Sequence, residues 1–223
     1  HALVHLKQTE KSIKSSDLAV VLQALQQEEL TTERRKNEAV SAQLIEQVRF
    51  NWVQHVVSRL ANPWWAAEHK LGLSGFQSIF LKISKTHTAK LRQLLLSQLT
   101  MSHKRKFMLS MLSEPAKIRI IEVVQPKAST AIKFYVKALE KLESEQATKS
   151  ESLTLQKWDV IIYSLVSDRG SFFNLKSFMM TTLHKLSHHF NIDFETLFTS
   201  FLSIGSSLKV PETNEFKRAI LEL

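Results

Sequence analysis

An all-α fold is what this sequence predicts, and three observations carry the expectation. Only 4 Gly and 4 Pro stand among 223 residues, too few for a turn-rich β fold. Leucine, lysine, glutamine, alanine and serine abound, and most of these favour helix. Apolar residues recur at three- and four-residue spacing along nearly the whole chain, which is the period of one helix face. With 43% hydrophobic residues the chain is long enough to bury a sizeable core. The expected architecture is an irregular array of packed short helical hairpins with one long N-terminal helix.

In chain order, Ser16 or Asp17 caps a first short helix lined by Leu18, Val21, Leu22 and Leu25. After Thr31 and Thr32 the longest helix spans about 33 to 61, its stripe marked by Val40, Leu44, Val48, Trp52 and Val56 beside Ile45, Val53, Val57 and Leu60. Pro63 has no backbone N–H and disfavours helix at Asn62, so the chain turns there. Trp64 and Trp65 follow at once, either plugging a helix junction or standing out as a docking anchor. Gly72 and Gly75 mark a connection.

Short helices come next, lined by Phe76, Ile79, Phe80 and Ile83, then by Leu91, Leu94, Leu95 and Leu99 behind a Thr86 cap. Phe107, Met108, Met111 and Leu112 line a third. Ser113, Glu114 and Pro115 combine a hydroxyl cap, a first-turn acid and an early proline, and they start a fourth helix that Pro126 ends. Ile132, Tyr135, Val136, Leu139 and Leu142 line a further helix that runs into the polar stretch from Glu143 to Glu151. That stretch is the expected hinge between an N-terminal lobe, 1–142, and a C-terminal lobe, 152–223.

In the second lobe Leu155, Trp158, Ile161, Ile162 and Leu165 form a helix ended around Gly170. Asn174 caps the next, lined by Phe178, Thr182, Leu186 and Phe190. Asn191 or Asp193 starts another, lined by Phe194, Leu197, Phe198, Phe201 and Leu202 and closed by Gly205 and Pro211. Phe216, Ala219, Ile220 and Leu223 line the last segment. The first residue is not Met, and the chain reads as a piece of a longer one.

Thirty Lys and Arg against twenty-one Asp and Glu give +9, a balance that suits nucleic acid, an anionic surface or an acidic protein partner. The densest basic region holds Lys82, Lys85, Lys90, Arg92, Lys104, Arg105, Lys106, Lys117 and Arg119. Within it Lys104, Arg105 and Lys106 form one local cluster that could contact phosphate or an acidic partner, with Phe107 behind it. The chain has no cysteine, which excludes disulfides and thiolate zinc sites. Its longest apolar runs fall far short of a membrane span.

No constellation in the sequence carries catalysis, and no cofactor motif occurs. His184 and His188 stand one helical turn apart, but residue 185 is lysine where zinc proteases need glutamate. These histidines are expected to face solvent. Neither a glycine-flanked nucleophile nor a phosphate-cradling glycine loop is present.

Read in series, two stretches resemble the tape measure proteins of contractile injection systems, the phage-tail-like particles that include anti-feeding prophages and virulence cassettes. The first is Asn62, Pro63, Trp64, Trp65 and Ala66, followed by leucine-rich segments from Leu91 to Leu99 and from Ile118 to Pro126. The second begins at Trp158 and passes through Tyr163, Leu165, Arg169, Gly170, Phe173 and Asn174 to Phe178 and the stretch from Leu186 to Asp193. Together they cover roughly residues 50 to 223 in the family's order.

The resemblance implies a non-enzymatic assembly protein without cofactor that helps set tube and sheath length. Its implied partners are baseplate, hub or tube proteins, with self-association also open. Its implied place is the bacterial cytoplasm during assembly and then the particle. The rival expectation is a basic all-α nucleic-acid-associated protein.

Overall fold

The computed structural model describes residues 40–61, 75–145, 151–167 and 173–223. Among the described residues there are ten helices and no strand. The first, α1, is described over 40–59. It is followed by α2 (Phe76–Thr86), α3 (Thr88–Gln98), α4 (Ser102–Met111), α5 (Glu114–Val124) and α6 (Ser129–Glu145). The series ends with α7 (Glu151–Ser167), α8 (Leu175–Phe190), α9 (Phe194–Ser207) and α10 (Glu215–Glu222). The helix expected near Leu18 and the corner at Pro63, Trp64 and Trp65 lie outside the described residues.

The chain divides after Val48 into two units. Of the first, residues 40–48 are described, and there Val40, Leu44, Ile45 and Val48 are exposed. The second, Arg49–Leu223, holds the end of α1 and all of α2 to α10.

This corrects the two lobes expected on either side of residues 143–151. Helices from both sides of that stretch pack together, α4 and α5 on α7 and α6 on α9. The stretch itself begins inside α6, and its first residue, Glu143, is buried. A run poor in apolar residues reads as solvated, but a carboxylate with a buried cationic partner belongs to the interior, and composition does not reveal the partner.

Most helix faces follow the sequence spacing. Phe76, Phe80 and Ile83 of α2, Leu91, Leu94 and Leu95 of α3, and Ile132, Tyr135, Val136, Leu139 and Leu142 of α6 are all buried. The helix ends follow it less well. α1 stops at Arg59, where Leu60 turns left-handed with φ 59°, ahead of the expected Asn62. A side chain in that region costs about 1–2 kcal/mol. His87, not Thr86, holds the N-cap of α3, and the Thr86 hydroxyl turns back to the Lys82 carbonyl at 3.4 Å. Ser113 does precede α5, but its hydroxyl makes no cap; its N–H donates to Gln77 Oε1 at 3.0 Å. Asn174 and Asp193 cap α8 and α9 as expected, accepting from the N–H groups of Ser177 and Thr196.

At the centre of the later helices lies Tyr135, with its ring set edge-on to Phe178 and Phe201 at 5.6 and 5.4 Å. The Thr182 hydroxyl donates to the Phe178 carbonyl at 2.8 Å, so at 2.6 Å Tyr135 is the donor to Thr182. Burial pushes the Tyr135 phenol well above its ordinary pKa.

Gly205 corrects a further expectation, because it lies within α9 rather than closing it. A methyl group there would meet Ile220 Cδ1 of α10 at 2.8 Å, so this glycine sets how closely α9 and α10 approach. Gly205→Leu should therefore lower stability by about 1–3 kcal/mol through overpacking, measured by urea unfolding. An unchanged midpoint would mean that α10 does not pack on α9 in this way.

Candidate functional site

Three consecutive residues of α7 reach three different helices. Lys157 Nζ donates to Glu143 Oε2 of α6 at 2.9 Å. Trp158 Nε1 donates to Glu114 Oε2, in the first turn of α5, at 2.6 Å. Asp159 accepts from Arg105 of α4 through both oxygens, at 2.7 and 3.1 Å. Successive helix residues project about 100° apart. A run of three can therefore face three neighbours only where the helix is surrounded, and Lys157 and Trp158 are indeed buried.

Arg105 is the fullest of these contacts. Its Nη1 also donates to the Leu99 carbonyl at 2.8 Å and the Thr100 carbonyl at 3.3 Å, at the C-terminal end of α3. One guanidinium thus satisfies orphan helix-end carbonyls and a carboxylate together. This corrects the expected cluster of Lys104, Arg105 and Lys106. Arg105 is buried and points inward, Lys104 donates to Gln98 Oε1 at 2.5 Å, and Lys106 alone of the three is exposed. Adjacent bases on a helix cannot share one face, which is why the cluster does not act together.

The residues that carry the family resemblance fall in two groups. Asn62, Pro63, Trp64, Trp65, Arg169 and Gly170 lie outside the described residues. Trp158 is fully buried, Asn174 caps α8, and Phe173 packs on Phe178 with ring centroids 5.4 Å apart. These three build the fold, and of them only Asn174, at the helix cap, is exposed.

Tyr163, one helical turn beyond Asp159, meets the same arginine. Its ring lies 4.7 Å from Arg105 Cζ and 4.7 Å from Lys185 Nζ of α8. Sequence alone sets Tyr163 in the stretch after Trp158 and marks residue 185 only as a lysine where a zinc protease needs glutamate. The available signal was position, because Tyr163 stands off the stripe of Trp158, Ile161, Ile162 and Leu165 and is 38% exposed.

A second ionic cluster joins α2, α5 and α6. Arg119 donates to the Ser84 hydroxyl at 2.9 Å and to the Ser84 carbonyl at 2.9 Å. Its other terminal nitrogen reaches Glu122 at 2.6 Å, and Lys133 reaches the same carboxylate at 2.8 Å. The hydrogen bond from Lys133, helped by Arg119 and opposed by partial burial, holds the Glu122 carboxyl below its ordinary range.

His184 and His188 are exposed, edge-on to each other at 5.1 Å, and His184 also meets Phe194 at 5.2 Å. Among the described residues no three His, Asp or Glu side chains form a metal-ligand set. Nor is any described helix long and apolar enough to cross a membrane. Comparisons with protein-family models, curated proteins and solved structures find no match.

Two expectations follow from the ionic contacts. Asp159→Ala would leave Arg105 buried without its carboxylate and should cost about 3 kcal/mol in urea unfolding; a loss within the range of a surface substitution would refute the contact. Glu122 has a folded-state pKa below its unfolded value of 4.5. Its stabilisation is thus complete above about pH 4.5 and fades as pH falls through the lowered value. Glu122→Gln should be less stable than the parent at pH 7, and the gap should close on acidification. A gap constant across that range would contradict the ion pair.

Proposed function

We propose that the chain is a non-enzymatic assembly protein of a contractile, phage-tail-like particle, acting with baseplate, hub or tube proteins to set tube and sheath length. One observation carries this reading beyond the resemblance. Among the described residues of the second resembling stretch, Trp158, Phe173 and Asn174 join or cap helices. A likeness carried by such residues is a likeness of architecture, and partner contacts then fall to the surface.

The way such a protein would act is bounded by its helix lengths. Among the described residues, the longest helices wholly inside the unit Arg49–Leu223 have 17 residues, about 26 Å at 1.5 Å per residue. This unit would therefore serve as a docked block, with any rod-like span supplied elsewhere. A basic nucleic-acid-associated protein is the rival reading, favoured by the absence of Asp and Glu between Glu68 and Glu114. Affinity driven by phosphate contacts would fall steeply with salt.

The decisive experiment assembles the particle without this protein and measures tail lengths in electron micrographs. Scattered lengths or failed assembly are expected. A length distribution identical to that of the complete particle would overturn the reading.

A further inference from the structure

In the unit Arg49–Leu223, the large apolar side chains more than about a third exposed among the described residues are Met101, Tyr163 and Leu221. Met101 stands one helical turn before Arg105, its carbonyl accepting the Arg105 backbone N–H at 3.0 Å, and the Tyr163 ring lies 4.7 Å from Arg105 Cζ. Met101 is 45% exposed, and it sits at the N-cap of α4 with His103 and Lys106 exposed beside it.

The described helices around this surface are poor in acidic residues. α3, α4 and α8, three of the helices that meet here, contain no Asp or Glu. Asp159 of α7 is committed to Arg105 through both oxygens. Lys185 therefore remains as a cation with no carboxylate on those three helices to offset it.

We propose that the surface formed by Met101, Tyr163 and Lys185 is a docking site for an acidic protein segment that carries an apolar side chain. Tyrosine, methionine and arginine are the types enriched in protein interfaces. Here the tyrosine is held from behind by a buried, fully bonded arginine, so little side-chain freedom is lost on binding. Met101 supplies an adaptable apolar contact, and Lys185 matches an acidic chain. A single-stranded nucleic acid fits less well, because it needs a series of stacking rings and Tyr163 is the one Phe, Tyr or Trp side chain more than about a third exposed among the described residues of this unit. The inference rests on this geometry alone and stands apart from the assembly reading above.

The test uses the full 223-residue chain and fluorescence anisotropy with three labelled probes. These are a peptide of repeated Glu-Glu-Leu, a polyglutamate of equal charge, and a single-stranded oligothymidylate of equal charge. The Glu-Glu-Leu peptide should bind most tightly. Tyr163→Ala and Lys185→Glu should each weaken it by about tenfold, the loss of one interface anchor. Lys209→Glu, at an exposed lysine on the segment after α9, should leave affinity within about twofold, the range of a rim charge. Met101→Glu keeps the Arg105 and Tyr163 contacts and should give the same loss, which covers the case of a poorly folded Tyr163→Ala. Three results would overturn the proposal: no peptide binding, equal losses in all variants including Lys209→Glu, or tighter binding of the oligonucleotide.

Discussion

Helix α7 packs against α3, α4, α5 and α8, and that constraint governs the unit Arg49–Leu223. A helix enclosed by others must either be apolar on every side or find a partner for each polar atom it carries inward. α7 does both. Ile161, Ile162, Leu165 and Val166 are buried as apolar contacts, while Lys157, Trp158 and Asp159 each hand their polar atoms to a different neighbour. Such pairs add little net stability over apolar packing, but breaking one leaves a buried charge alone. Their effect is to fix which helices lie where. α4, α5 and α6 cannot slide along α7 without orphaning a charge or an indole N–H.

The same division runs through the whole charge inventory. Arg105, Lys157 and Glu143 are interior, and Arg119, Lys133 and Glu122 form a half-buried triad. These groups serve helix placement and are spent within the fold. The surplus of positive charge on the chain is left to exposed lysines such as Lys106, where water screens it and a partner can reach it. A protein built this way has its architecture set by buried ions and its recognition set by surface ones. An assembly role asks for that separation, because docking then need not disturb the core.

The buried stripes of α2, α3, α6 and α8 were legible in the sequence because a helix of fixed period leaves a regular apolar trace. Asn174 and Asp193 were legible because a short acceptor before a helix has one common use. Three kinds of feature were not. A serine placed as a cap, Ser113, makes no cap bond; its N–H donates to Gln77, a tertiary neighbour, while its hydroxyl is buried with no partner among the described residues. Gly205 read as a helix end but acts through a contact with Ile220, which lies on another helix. Glu143 and Arg105 read as solvent-facing charge, and only their distant partners Lys157 and Asp159 place them inside. Local chemistry leaves a trace in local sequence, whereas pairing across fourteen or fifty-four positions does not.

The account stands on α7 binding the helices before and after residues 146–150 into one cooperative body. Hydrogen exchange of the full chain, followed by mass spectrometry across a urea series, measures this directly. Amides in α5, α7 and α9 should converge on one opening free energy and become exposed together. If α2 to α5 opened at a urea concentration that left α8 to α10 protected, they would be two separate bodies, and the central role given to Lys157, Trp158 and Asp159 would fail.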